Sequence, residues 1–208
     1  MNDVTSYPLG WSTKNLNDVT SLITDGAHFS PVPQEYGELI ANVKDFGEQG
    51  IKYETCTKIL EKDFNYLVRQ NCSPKKGDIL LSKDGTIGKV ILFPGEMSIV
   101  LLSSIAIIRL INEYDSDYTK HALRSFIFDK QLYALQSGSA LSRIVLSDIR
   151  KLEIPYPELN QQQKNRQNPN HRRQPHRKNS SPDRQIHRHK TRHDGRSLHP
   201  WHRPQWHT

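Results

Sequence analysis

The chain has 208 residues, enough for one domain of ordinary size plus an appendage. Residues 1–160 carry 17 Lys+Arg against 20 Asp+Glu, a net −3, whereas residues 161–208 carry 12 against 2, a net +10. The basic surplus that would mark a polyanion binder therefore belongs to the tail. No apolar run approaches the roughly 18 residues of a membrane span. The start, MNDVTSYPLG, lacks the basic opening and apolar core of a signal peptide. Cys56 and Cys72 stand in no metal or redox pattern, which fits reduced thiols in a cytoplasmic protein.

Trp11 to Leu16 reads as a short edge strand. Leu16, Val19, Leu22 and Ile23 recur at helical spacing and predict a short helix, ended by Asp25-Gly26. Ala27 to Pro33 is an irregular loop stiffened by Pro31 and Pro33, a suitable place to present the His28 donor. Leu39 to Val43 predicts a strand, and Gly47 to Gly50 a turn. Phe64, Leu67 and Val68 mark one face of a helix from about Glu61 to Gln70, which Ser73-Pro74 ends.

The stretch Lys75 to Phe93 organises the folded part. Ile79 to Leu81 and Val90 to Phe93 are apolar runs of strand type, and Asp84-Gly85 between them is a hairpin signal, because Gly85 can take the positive φ of a primed turn. Gly88 marks a bulge or a close neighbour. The expected tip carries Ser82, Lys83, Asp84, Thr86 and Lys89. Ile99 to Leu102 and Ile105 to Ile111 are nearly continuous apolar runs, as in strands buried on both faces. Asp117 to Leu135 predicts one or two helices, and Ser137 to Arg143 a polar loop. Ser147 is placed to cap a helical turn with Asp148 in its first turn, and Leu152 to Ile154 predicts a last strand closed by Pro155 and Pro157. Strands and helices mix without a βαβ rhythm, so the fold class is α+β.

After Asn160 the composition turns to Arg, His, Gln, Asn and Pro, with Ile186 and Leu198 as the remaining aliphatic residues. Such a segment cannot bury enough apolar surface to offset its ordering entropy, and disorder is expected from about Asn165. Its histidines lack a fold to position them, so no metal site is expected there. Catalytic signatures are missing: there is no G-x-x-x-x-G-K-[ST], no G-x-S-x-G and no N-P-P-[YF] tetrapeptide. Asp78 and Asp84 read as turn carboxylates. No cofactor is implied.

Several segments, taken in order, resemble the DNA-specificity (S) subunit of type I restriction-modification systems, in particular one target recognition domain. They are Trp11 with Leu16-Asn17-Asp18-Val19; Asp25-Gly26-Ala27-His28 with Pro31; Gly77 to Ser82 with Gly85-Thr86-Ile87-Gly88-Lys89; Gly138-Ser139, Ile149 and Ile154 to Pro157; and Gln162-Gln163-Lys164. Gln161 stands where the family usually has Glu.

Residues 1–160 are thus expected to form one mixed α/β recognition domain with a central β-hairpin, and the composition of residues 161–208 predicts a disordered basic tail. The resemblance implies a non-catalytic reader of one half of a split double-stranded DNA target. A long spacer helix would dock methyltransferase (M) subunits and, through them, the restriction (R) subunit. Direct readout needs donors and acceptors at base edges, with phosphate contacts fixing register. The candidates are His28, Ser82, Lys83, Thr86 and Lys89, with Ser139 and Arg143 from the second polar loop. The alternatives are a compact methyltransferase or nuclease using Asp78 or His28, and a scaffold that reads nothing.

The expected spacer helix is replaced by Arg/His/Pro from Lys164 onward, which points to a frameshift. Lys164-Asn165 can be encoded AAA AAT. With one adenine removed, permitted codons let residues 164–167 read KIAK and residues 168–191 read ILTTVDNLIEKTQALIDKYTAIKQ, with apolar residues at helical spacing. Every tail histidine then becomes Ile, Thr or Met.

Overall fold

The computed structural model describes residues 11–48, 50–137 and 143–157, all within one compact unit. The tail, and with it the expected disorder and the frameshifted helix, lies outside the described residues, as does Ser139.

The apolar runs singled out above form the centre. Strands β2 (Thr20–Asp25), β5 (Ile79–Ser82), β6 (Val90–Leu92) and β8 (Ile105–Leu110) make an antiparallel sheet in the order β2-β8-β5-β6. Successive side chains of a strand point to opposite faces, so a strand covered on both sides must be apolar throughout. Ile79, Leu81, Ala106 and Ile108 enter one core with Leu123, Phe128, Leu132 and Ile149 from helices and their margins. Leu80, Ile105 and Ile107 enter a second core with Ala41, Phe46, Ile51, Phe93 and Leu101. Each fully buried Leu or Ile contributes about 1.5–3 kcal/mol relative to exposure.

The first core is covered by α2 (Ser116–Ala122), α3 (Phe126–Ser137) and α4 (Leu146–Lys151). On the other side, β4 (Thr57–Ile59), β3 (Glu38–Ala41) and β7 (Val100–Leu101) form a three-stranded sheet. Helix α1 (Glu61–Arg69) packs Phe64 and Leu67 against Ile40, Ile59 and Val100 of that sheet. The two ends of the described chain pair as β1 (Ser12–Asn15) and β9 (Glu153–Tyr156), with Thr13 opposite Pro155. Pro155 is tolerated because this two-stranded ribbon is all edge. Mixed sheets and helices make the α+β class the observed one. Among the described residues no helix is long and apolar enough to cross a membrane.

Three local expectations are corrected. Leu16–Val19 forms only a single tight helical turn, after which Thr20 already belongs to β2. Pairing with β8 overrides the helical spacing, because Ile23 faces the sheet core while Leu16 and Val19 fill it from the turn. The hairpin is real but has no two-residue turn: residues 83–89 separate β5 from β6, with Gly85 at φ +70 and Gly88 at φ +90. A Cβ on Gly88 would stand 3.2 Å from Leu132 Cδ1, the close neighbour its glycine implied. Finally, Val145 rather than Ser147 stands at the N-cap of α4, without a side-chain cap, whereas Asp148 does lie in the first turn.

Candidate functional site

One end of the central sheet gathers polar side chains from distant parts of the chain. Strand β2 ends at Asp25, and the next two residues are locked to the turn between β7 and β8. Ala27 N donates to Leu101 O at 2.7 Å, and Ser103 N donates back to Ala27 O at 2.9 Å. Gly26 must be glycine, since a Cβ there would lie 2.1 Å from the Leu101 carbonyl oxygen. His28 therefore leaves a fixed platform. Its ring is 76% exposed, and Nε2 lies 3.1 Å from Asp25 Oδ1.

The other oxygen of Asp25 meets Lys83 from across the site, with Nζ 3.1 Å from Oδ2. Lys83 is not at a solvated tip. Its side chain is 7% exposed and that of Asp25 is 11% exposed, so this is a buried ion pair. The Lys83 backbone is held too: its N–H donates to Ser104 O, and its carbonyl accepts from Ile144 N at 2.8 Å. Ser82 is fully buried. Its hydroxyl donates to Thr86 O and accepts from Lys89 N, which closes the 83–89 loop on itself. Ser82 and Lys83 thus build the loop from beneath, while Thr86 and Lys89 stand exposed on it.

Lys89 Nζ reaches Phe46 O at 3.4 Å. Arg143 joins from the far side, with Nε 3.3 Å from Asp84 Oδ2 and its backbone paired with that of Asp84. Six of the seven residues singled out from sequence, His28, Ser82, Lys83, Thr86, Lys89 and Arg143, thus meet around one loop, either directly or through Asp25 and Asp84. Ser139 lies outside the described residues.

Sequence reasoning missed Asp25, Asn42 and Ser104. Ser104 Oγ donates to Asn42 Oδ1 at 3.0 Å, and Asn42 caps the turn Val43–Asp45 beside the loop. The motif around His28 contained Asp25, so its spacing of three residues was the available signal. The partners of Asn42 and Ser104 are remote in sequence and left none.

Elsewhere the titratable groups are structural. Arg109 forks onto Asp78, with Nε to Oδ1 at 2.9 Å and Nη2 to Oδ2 at 2.7 Å, and this hydrogen bonding raises the guanidinium pKa. Burial, then Asp45 and Glu54, push the Cys56 thiol up to about 12. Burial, then Asp25, push up Cys72. Both thiols stay protonated and unreactive at neutral pH. Among the described residues no three His, Cys, Asp or Glu side chains gather as metal ligands. The arrangement is suited to holding donors on a rigid base.

The sequence profile of the family described as the type I restriction modification DNA specificity domain matches residues 8–167. A type I restriction enzyme specificity subunit, so named, of Haemophilus influenzae is 33% identical over 97 residues, covering 43% of this chain and 22% of its own length. The fold matches the specificity subunit of Thermoanaerobacter tengcongensis with a TM-score of 0.54 at 17% identity, over 78% of this chain and 37% of that one. It matches a chain from a structure on complex assembly and conformational transition of the type I system with a TM-score of 0.53 at 18% identity, over 79% and 38%. The chain thus spans about a fifth of that bacterial relative and under two fifths of the solved chains.

Proposed function

The chain belongs to the type I restriction-modification DNA specificity family, and from that premise we propose that it is a non-catalytic reader of one half of a split double-stranded DNA target. One observation carries the reading: His28, Thr86, Lys89 and Arg143, from three separate segments, are exposed together at one end of the sheet on a hydrogen-bonded base. Rigid presentation of polar groups is what base and phosphate contacts require. Ser82 and Lys83 act behind this surface by fixing the loop. The net −3 of residues 1–160 makes the placement of these few cations on one face the decisive electrostatic feature.

Residues 1–160 serve as the recognition domain, in the cytoplasm, and methyltransferase subunits are the partners that would use the reading, with a restriction subunit acting through them. The profile match stops at residue 167, three residues past Lys164, where the frame is expected to change. This supports reading the tail as a frameshifted spacer helix, which would leave the chain a poor partner for methyltransferase subunits until the frame is restored. Two experiments test these statements. Selection from a pool of random duplexes by the full chain on its own should enrich one short sequence; enrichment of none overturns the reader, and methyl transfer by the chain alone overturns its non-catalytic role. Sequencing the nucleic acid around Lys164 should show an open alternative frame with an apolar helical period; stop codons there overturn the frameshift.

A further inference from the structure

Asp25 stands between two basic groups with one oxygen turned to each: Lys83 Nζ on Oδ2 and His28 Nε2 on Oδ1, both at 3.1 Å. A carboxylate only accepts, so Nε2 must carry the hydrogen it shares. Nδ1 is then the ring atom left for a ligand, on a side chain that is 76% exposed. The platform beneath does not yield, because Gly26 and Ala27 are pinned to the β7–β8 turn. Building on the DNA reading above, we propose that Asp25 is a positioning residue that aims His28 Nδ1 at a DNA backbone phosphate, to which the ring donates as an imidazolium.

The charges support this choice of ligand. Lys83 already balances Asp25, so an incoming phosphate is balanced by the ring. Ammonium, carboxylate, imidazolium and phosphate then alternate in sign along one row. Where the free ring holds no hydrogen on Nδ1, that hydrogen comes from solvent. Cys72 lies near Asp25 with its thiol held protonated, and Tyr66 of α1 meets the neighbouring Phe29 ring at 6.1 Å between centroids. A side chain held in one orientation on a fixed loop suits contacts that set register rather than those that adapt to each base.

The test uses the full chain with 15N-labelled histidine, the His28 signals being those lost in His28→Asn. In the free protein the ring should show hydrogen on Nε2. Addition of a short duplex of mixed sequence should move both ring nitrogens to protonated positions, with Nδ1 moving most. Because Asp25→Asn alone strands the buried Lys83 ammonium, both partners are changed together. Asp25→Leu with Lys83→Met should abolish the Nε2 preference and the DNA-induced shift, whereas Asp25→Asn with Lys83→Met, which keeps an acceptor, should restore the Nε2 preference. The proposal is overturned if His28 does not move while tail histidines do, if Nδ1 stays bare in the complex, or if the Leu/Met variant behaves as the wild type. If the random pool yields a sequence and His28 still does not move, this inference alone fails; if the pool yields none, the reader fails and takes this inference with it.

Discussion

Strand β5 has a buried acid–base pair at each end, and the two are built differently. At its start, Asp78 takes both prongs of the Arg109 guanidinium, and Oδ2 also accepts from Lys75 N at 2.7 Å. The carboxylate is 2% exposed, and both of its oxygens are taken by Arg109 and the Lys75 backbone. At its other end, Asp25 meets Lys83 through a single contact and shares its second oxygen with a histidine in solvent. A planar fork saturates its partner, whereas an ammonium is a point charge that leaves acceptor capacity over. The first pair closes the sheet, and the second passes its orientation outward to a side chain that can meet a ligand. The two ends thus differ in whether the buried carboxylate is saturated or keeps an oxygen for a side chain in solvent.

The largest effect should follow from breaking the closed end. Asp78→Ala strands the Arg109 guanidinium, itself only 26% exposed, and frees the Lys75 N–H. Unfolding by denaturant should show a loss of about 3–5 kcal/mol, with the free His28 ring signals unchanged at temperatures where the protein stays folded. Replacing both partners with apolar residues should recover most of that loss. Failure to recover would mean that Asp78 is held for something other than its charge.

The open end should cost less. Lys83→Met leaves the Asp25 carboxylate its His28 contact and a path to water, so a loss of about 2 kcal/mol is expected. Unlike the change at Asp78, it should also disturb the His28 ring signals. Equal losses at both ends, with silent His28, would erase the difference drawn between them.

The sheet was legible in the sequence because burial on both faces writes itself as continuous apolar runs, as in Ile105 to Ile108. Helix α1 was legible from Phe64 and Leu67 on one face. The segment Leu16 to Ile23 was not, since its strand character comes from a partner, Leu110 opposite Thr20, that local spacing cannot register. The site shows the same division. Residues 25–28 and 82–89 were recognisable as polar clusters, and they do meet. That Lys83 lies inside was illegible: a lysine next to Asp84-Gly85 reads as a solvated tip, and its counter-ion is supplied from the end of β2. Position within a cluster, rather than membership of it, depends on contacts distant in sequence.

Lys89 offers a purely outward test. It is exposed, and its ammonium reaches only the Phe46 carbonyl at 3.4 Å among the contacts of the described residues. Lys89→Ala should change stability by less than about 0.5 kcal/mol. It should weaken DNA binding by the chain for all sequences alike, and lower the salt slope by about one. An unchanged slope would place the loop off the DNA.

The smallest effect reads the open end from behind. Burial raises the Cys72 thiol above the ordinary 9.0, and Asp25 adds to it. Cys56 is raised to about 12 by burial first. For an acid whose folded pKa is raised, the unfolded chain loses its proton first, so folding binds the proton more tightly and stability falls as pH rises past the unfolded value. The window opens near the ordinary thiol value and closes, for Cys56, at about 12. Cys56→Ala should flatten this alkaline decline. Asp25→Asn with Lys83→Met should leave it nearly intact while lowering the Cys72 thiol slightly, because the carboxylate is the lesser of its two causes. Rates of thiol alkylation against pH in the native protein measure that displacement. A large displacement would mean that the Asp25 charge reaches the core unbalanced, and that Lys83 does not hold it as the geometry requires.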